Sequence, residues 1–166
     1  MAGAHTLAET ERRVSERLGS QSLDFSSMAV ASNLFRAATA VRNYLERTVL
    51  AKEELSWTAF VVLWVVWIWE PIETRQIAEE GGFSKATLTG VLTTLEGRGL
   101  LERKKSDTDG RLVLVNLTKK GRKLMETLFP DFNKHEKAVV SPVAESERDS
   151  VAKALRAITQ FAEANR

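Results

Sequence analysis

The sequence has no cysteine and only two histidines, His5 and His135, among its 166 residues. Without thiols the chain cannot form disulfides, thiolate metal sites or redox-sensing cysteines, and nothing in it requires an oxidising compartment. A glycine-rich phosphate loop and a nucleophile motif are also missing, which leaves few groups for catalysis or metal binding. We therefore expect a cytoplasmic protein that is not an enzyme and carries no metal or cofactor.

Long apolar runs are scarce as well. The one candidate for a membrane segment, from Trp57 to Trp69, is shorter than the roughly 20 residues that span a bilayer. It is better explained as a buried core helix, so no membrane contact is expected. Residues 1–21 lack the apolar centre of a signal peptide and form a polar leader that we predict to be mobile.

Charge is distributed unevenly along the chain. Between Lys85 and Lys123 there are ten basic residues and four acidic ones, a net charge of +6 in a chain whose total is +2. A basic block inside an otherwise acidic chain suits a polyanion-binding surface, although runs of charge also occur on faces that are merely solvated. Nucleic acid is therefore one candidate partner.

Apolar periodicity predicts a mainly helical chain. A long amphipathic helix is expected over residues 22–50, and a second one, apolar on nearly all sides, from an N-cap at Ser56 to Trp69. A short helix over residues 74–80 is ended by a glycine pair, and Ser84 is an N-cap for the helix that follows. The apolar stripe of that helix consists of Leu88, Val91, Leu92 and Leu95.

A charged hairpin is predicted directly after this helix. Residues 113–117 alternate as a strand does, and the turn is expected at residues 106–110. Thr118 is the N-cap of a further helix, and a last helix begins near Ser146. We therefore expect a mainly α-helical fold with a small β-hairpin, organised as one domain over residues 22–166.

A short helix, a glycine turn, a second helix and a charged hairpin, in that order, are the layout of a winged helix-turn-helix, here at about residues 56–118. The free face of the second helix consists of small residues, and Lys85 lies near its N-terminus. Small side chains would let the helix approach base edges in the major groove, with threonines reading bases and Lys85 meeting phosphate or guanine. The alternative is that these threonines merely face water, which their surroundings in the sequence make the weaker interpretation.

Three segments resemble the DNA-binding core of the MarR (multiple antibiotic resistance regulator) family: QIAEEGGFSKATLTGVLTTLEGRGLLER, the DGR at the hairpin tip, and VLVNLTKKG. The resemblance covers roughly residues 34–166. It implies a homodimer, joined by helices at about residues 22–50 and 119–165, that reads a palindromic operator in double-stranded DNA, most often as a repressor relieved by a small ligand. The chain departs from the family pattern at Glu73, where a serine or threonine cap is usual, and at Gly90, where arginine or lysine is common.

On this resemblance the hairpin tip serves DNA. Arg111 would enter the minor groove, and Asp109 would hold its guanidinium in position by a bidentate pair. Lys104 and Lys105 would contact phosphates. The predicted DNA-contacting residues are Ser84, Lys85, Ala86, Thr87, Thr89, Gly90, Thr93, Arg103, Lys104, Lys105, Asp109 and Arg111.

The resemblance also implies a small aromatic or anionic effector, bound between the dimerisation helices and the DNA-binding module. Its predicted contacts are Phe35, Tyr44, Trp64 and Trp67, although a buried helix explains the tryptophans without any ligand. Two other functions are open at this point: a winged helix that binds an acidic protein, and a small ligand-binding or catalytic protein. Salt-dependent binding to duplex DNA separates a DNA-binding regulator from the first of these.

Overall fold

Most of the chain is helical, as the apolar periodicity predicts. The computed structural model describes residues 5–106 and 112–165 and divides into two units, residues 1–43 and residues 44–166. The helices are α1 (Leu7–Leu18), α2 (Phe25–Thr48), α3 (Trp57–Trp69), α4 (Thr74–Gly81), α5 (Lys85–Gly97), α6 (Lys119–Val139) and α7 (Arg148–Ala164). The strands are β1 (Ile72–Glu73), β2 (Leu101–Lys105) and β3 (Val113–Leu117), and short 3-10 helices lie at Leu50–Glu53 and Glu145–Glu147.

The first unit contains a helix that the sequence reading did not predict. Thr6 and Glu9 form a capping box at the start of α1, with the Thr6 N–H donating to the Glu9 carboxylate at 2.8 Å. Asn33 of α2 donates to the Glu11 carboxylate at 2.7 Å, which joins the two helices. The polar leader therefore includes α1, whose sparse apolar residues gave little sign of a helix.

Hydroxyl N-caps begin three helices where the sequence predicts them. The side-chain oxygens of Ser56, Ser84 and Thr118 each accept the backbone N–H three residues later, at 3.2, 3.1 and 3.0 Å. At α4 the cap is Glu73, whose N–H donates to the Gln76 side chain at 3.2 Å. Helix α4 is therefore capped although position 73 lacks the serine or threonine hydroxyl that the MarR-family pattern usually has there.

The sheet has three antiparallel strands, one more than the predicted hairpin, in the order β1-β3-β2. Lys105 pairs with Val113 where the hairpin leads into its tip, and β1 adds Ile72 opposite Val115. On β3, Val115 and Leu117 are buried, whereas Val113 is exposed. Burial therefore confirms the predicted alternation of β3 for Val115 and Leu117, but β1 is too short for its period to be visible in the sequence.

Helix α3 is the centre of the second unit. Val62, Leu63 and Val66 are completely buried, as expected of a helix that is apolar nearly all round. Aromatic stacking joins α3 to α6, with the rings of Phe60 and Phe132 4.2 Å apart. None of the helices described is both long and apolar enough to cross a membrane.

Candidate nucleic-acid interface

Helix α5 packs one face on the core and presents the other to solvent. Leu88, Leu92 and Leu95 are buried and Val91 is half-buried, which confirms the predicted stripe. The outward residues are small or short, and all are exposed: Ala86, Thr87, Thr89, Gly90 and Thr93. Lys85 is exposed at the N-terminal end of the same helix. Such a face can lie close to the floor of a major groove, which admits an α-helix.

Gly90 is not required by packing within the chain. A Cβ built at this position meets no atom within 4 Å. Glycine in a helix interior is less favourable than alanine by about 1 kcal/mol, so its presence here weakens α5 without an internal reason. An external surface that must come close to the helix backbone would supply that reason.

Three of the four threonine hydroxyls of α5 are bonded to the helix backbone. Thr89 donates to the Lys85 carbonyl at 2.8 Å, and Thr93 and Thr94 donate to the carbonyls of Thr89 and Gly90 at 3.0 Å. With the hydroxyl hydrogens used in this way, each threonine offers a methyl group and an oxygen lone pair. These groups suit thymine methyls and base amino groups.

A groove of about 480 Å³ lies between α4, α5 and the hairpin strands. Three cationic side chains, those of Arg75, Lys85 and Arg103, contribute to its lining. Arg75 was not among the predicted site residues, although it is the only cation of α4 and lies in its first turn. Its guanidinium donates to Glu79 at 2.8 Å and is exposed, so the groove carries positive charge that a phosphate could meet.

The cations of β2 are partly used within the chain. Arg103 donates from Nε to the Glu96 carboxylate at 3.0 Å and pairs with it again through Nη2. This hydrogen bonding lowers the pKa of Glu96 below its ordinary value and ties β2 to α5. Lys104 Nζ lies 2.6 Å from the Glu102 carboxylate, whereas Lys105 is exposed at the end of the strand. DNA contacts by these three cations stay predictions.

The remaining predicted contacts divide between the start of α5 and the hairpin tip. At the start of α5 the exposed hydroxyls of Ser84 and Thr87 lie 2.8 Å apart. Asp109 and Arg111 lie outside the residues that the structure describes. Their predicted roles therefore stay predictions from the sequence.

The predicted effector residues are found in different settings. Tyr44 and His135 share a hydrogen bond of 2.9 Å between the phenol oxygen and Nδ1. Trp64 stacks on Phe129 at 4.6 Å and meets Trp67 edge-on at 5.7 Å, so these tryptophans belong to an aromatic cluster. The side chain of Phe35, in the first unit, is 75% exposed. Among the described residues no group of acidic or histidine side chains could hold a metal ion.

Comparison with known proteins identifies relatives of this chain. The model of the MarR family matches residues 55–113. An uncharacterized HTH-type transcriptional regulator of Bacillus subtilis, YwaE, is 36% identical over 138 residues, which are 83% of this chain and 81% of the relative. The match therefore extends well beyond the helix-turn-helix.

Solved structures share the fold. BpsR of Bordetella bronchiseptica, whose DNA binding is regulated by 6-hydroxynicotinic acid, has a TM-score of 0.72 at 26% identity and covers 78% of this chain and 98% of its own. MepR of S. aureus, solved in complex with DNA, has a TM-score of 0.71 at 22% identity, with coverage of 78% and 96%. The mainly helical winged-helix fold predicted from the sequence is thereby confirmed.

Proposed function

Because this chain belongs to the MarR family, and is thus a helix-turn-helix transcriptional regulator and not an enzyme, we propose that it is a homodimeric, cytoplasmic repressor that binds a palindromic operator. The exposed face of α5 carries this proposal: small residues along the helix, with Lys85 at its start and the basic hairpin beside it. In a two-fold dimer the two α5 helices enter successive major grooves, and the operator mirrors that symmetry.

We assign the DNA-binding module to residues 56–118 and dimerisation to the helices at residues 22–50 and 119–165. Helix α7 supports this division because none of its residues is buried. Four large apolar side chains on α7 are exposed: Val151, Leu155, Ile158 and Phe161. An exposed apolar stripe of this kind marks an interaction surface, and a second copy of the chain would cover it.

Release from DNA is assigned to a small aromatic acid. The regulation of BpsR by 6-hydroxynicotinic acid motivates this choice of ligand class. The proposed contacts in the second unit are the aromatic cluster around Trp64 and Trp67 and the Tyr44 hydroxyl, and the contact by Phe35 stays a prediction from the sequence. Such a ligand would act by binding better to a dimer whose two α5 helices are wrongly spaced for DNA, which shifts the population away from the binding state.

The experiment is selection of duplexes from random-sequence DNA by the wild-type chain, followed by titration of the selected duplex at several salt concentrations. A palindromic consensus and affinity that falls steeply with salt are expected. Transcription in vitro from a promoter that overlaps the consensus should then fall as protein is added. Failure to enrich any sequence would refute operator recognition, and increased transcription would refute the repressor assignment.

Variants of the hairpin tip test how the wing works. We expect Arg111→Ala to weaken binding by about 1 to 3 kcal/mol, and Lys85→Ala by a similar or smaller amount, as for a good base or groove contact. Asp109→Ala should also weaken binding, because its proposed role is to aim Arg111. If the wing acted only through its charge, loss of the Asp109 carboxylate would tighten binding, so titration of the three variants at fixed salt separates the two accounts.

Gly90→Ala should separate stability from DNA binding. Because a Cβ at Gly90 has open space around it, the substitution should raise the free energy of unfolding by about 1 kcal/mol, the difference in helix propensity. On the selected duplex the same variant should bind more weakly, since the added methyl holds the helix away from the groove floor. Urea unfolding and duplex titration measure the two effects, and unchanged affinity would contradict a close approach at this residue.

A further inference from the structure

The side chain of Arg98, just after α5, reaches the corner between α2 and α3, residues 49–56, which is distant from it in sequence. Its Nη1 donates to the Glu54 carbonyl and its Nη2 to the Glu53 carbonyl, both at 2.8 Å. Neighbouring carbonyls thus receive the two arms of one planar guanidinium. Lysine donates from one nitrogen only and cannot reproduce this planar geometry of two nitrogens.

The corner that Arg98 holds has an unusual backbone. It contains the 3-10 helix Leu50–Glu53, whose final carbonyls have no partner further along the helix. Glu54 then adopts a φ of +52°, in the left-handed region that residues other than glycine avoid. A conformation of this kind persists when surrounding contacts enforce it, and the Arg98 fork bonds the carbonyl of the strained residue itself.

Other contacts attach the same corner to its neighbours. The Glu46 carboxylate of α2 accepts the Trp57 N–H at the start of α3, at 2.9 Å. Lys52 donates to Asp131 of α6 at 3.2 Å. These contacts attach the corner to α2 and α6, the helices assigned to dimerisation. Arg98 links the same corner directly to the end of α5.

We propose that Arg98 is a positioning residue for DNA binding, which holds α5 at a set angle to the α2–α3 corner without touching DNA. The proposal rests on the DNA binding of the proposed function. Leu95 and Leu100 are both buried, so we expect hydrophobic packing to keep α5 in the fold without Arg98. The fork instead fixes the orientation of α5. Binding of a helix in the major groove depends on this orientation, because a misplacement of about 1 Å loosens a site.

The test uses Arg98→Lys, which keeps the charge and loses the fork, and Arg98→Met, which keeps an unbranched apolar stem. Arg17→Met is the matched control, since it removes one exposed cation of α1, outside the segments assigned to DNA binding and to dimerisation. The probe is the duplex selected by the wild-type chain, titrated at several salt concentrations. Thermal unfolding of each variant gives the folded fraction at the titration temperature.

Both Arg98 variants should bind about tenfold more weakly than wild type, a size typical of coupling residues. The slope of log affinity against log salt should be unchanged, because no phosphate contact is lost. Arg17→Met should bind within about twofold of wild type, as expected for a surface substitution. If the wild-type chain selects no duplex, the proposed function itself fails, whereas the outcomes below concern Arg98 alone.

Wild-type affinity in Arg98→Lys would overturn the proposal, because charge without the fork would then suffice. So would a slope reduced by about one in Arg98→Met, the mark of a lost phosphate contact. An equal loss in Arg17→Met would attribute the effect to general positive charge and would also overturn the proposal. If the loss of affinity were fully explained by the unfolded fraction of each variant, Arg98 would be a stabilising residue and the proposal would fail.

Discussion

Gly121→Ala is expected to lower the free energy of unfolding by about 3 kcal/mol, the upper part of the range for overpacking a tight site. A Cβ at Gly121 would lie 1.9 Å from the carbonyl oxygen of Leu100 and 2.9 Å from its carbonyl carbon, well inside van der Waals contact. That carbonyl cannot move away cheaply, because it accepts the Thr118 N–H at 3.1 Å where β2 begins. Urea unfolding followed by tryptophan fluorescence measures the loss.

Gly90→Ala is the control for this substitution. It makes the same chemical change in a helix, but at a position with open space, so it should stabilise the chain while Gly121→Ala destabilises it. Opposite signs would show that close backbone approach, and not helix propensity, decides the effect. A Gly121→Ala chain as stable as wild type would mean that the first turn of α6 can shift away from Leu100.

Local chemistry explains what the sequence predicted well. Ser56, Ser84 and Thr118 are N-caps because a hydroxyl three residues before a free N–H acts within one turn, so short patterns suffice. The same holds for the two faces of α5, since helical periodicity separates Leu88 and Leu92 from the small outward residues. The fold class and the orientation of α5 were therefore accessible from the sequence.

The features that the sequence did not predict depend on distant partners. The two residues of β1 become a strand only because Ile72 pairs with Val115, which lies more than forty positions later. Arg103 pairs with Glu96 in the structure, a partner that its charge did not indicate, and its predicted DNA contact stays a prediction. Single-sequence patterns contain no information on such pairings, because several cations and carboxylates are equally available to one another.

Helix α1 is a different case, because its signal was present and local. Thr6 followed by Glu9 is the spacing of a capping box, which the structure contains. The signal was outweighed by the low apolar content of residues 1–21, which favoured a leader without structure. A cap pattern therefore carries weight even where the helix behind it is mostly polar.

A chain that carries both Leu155→Glu and Ile158→Glu is expected to be monomeric and to lose at least about a hundredfold in affinity for the palindromic duplex. The two side chains lie in the middle of the exposed apolar stripe of α7, 43% and 37% exposed. Carboxylates there cannot be buried without partners, so the proposed interface should not form. Each monomer would then bind one half-site, and the gain of about 10² to 10⁴ from linking two binding modules disappears.

The control variant combines Lys153→Gln with Gln160→Glu. It changes the net charge by the same amount, but both residues lie on the face of α7 opposite the apolar stripe, by the helical period of 3.6 residues. This chain should sediment as a dimer and bind the duplex nearly as wild type does. Comparison of the two variants therefore removes general electrostatic repulsion from the phosphates as an explanation.

Sedimentation equilibrium and titration against duplexes with one and with two half-sites distinguish the mechanisms. If α7 joins two copies, the apolar-face variant should bind both duplexes equally weakly, while the wild-type chain prefers the palindrome. A variant that stays dimeric and retains this preference would show that α7 covers something other than a second copy. The palindromic operator would then need another origin, because only a two-fold assembly makes two equivalent α5 helices face one duplex.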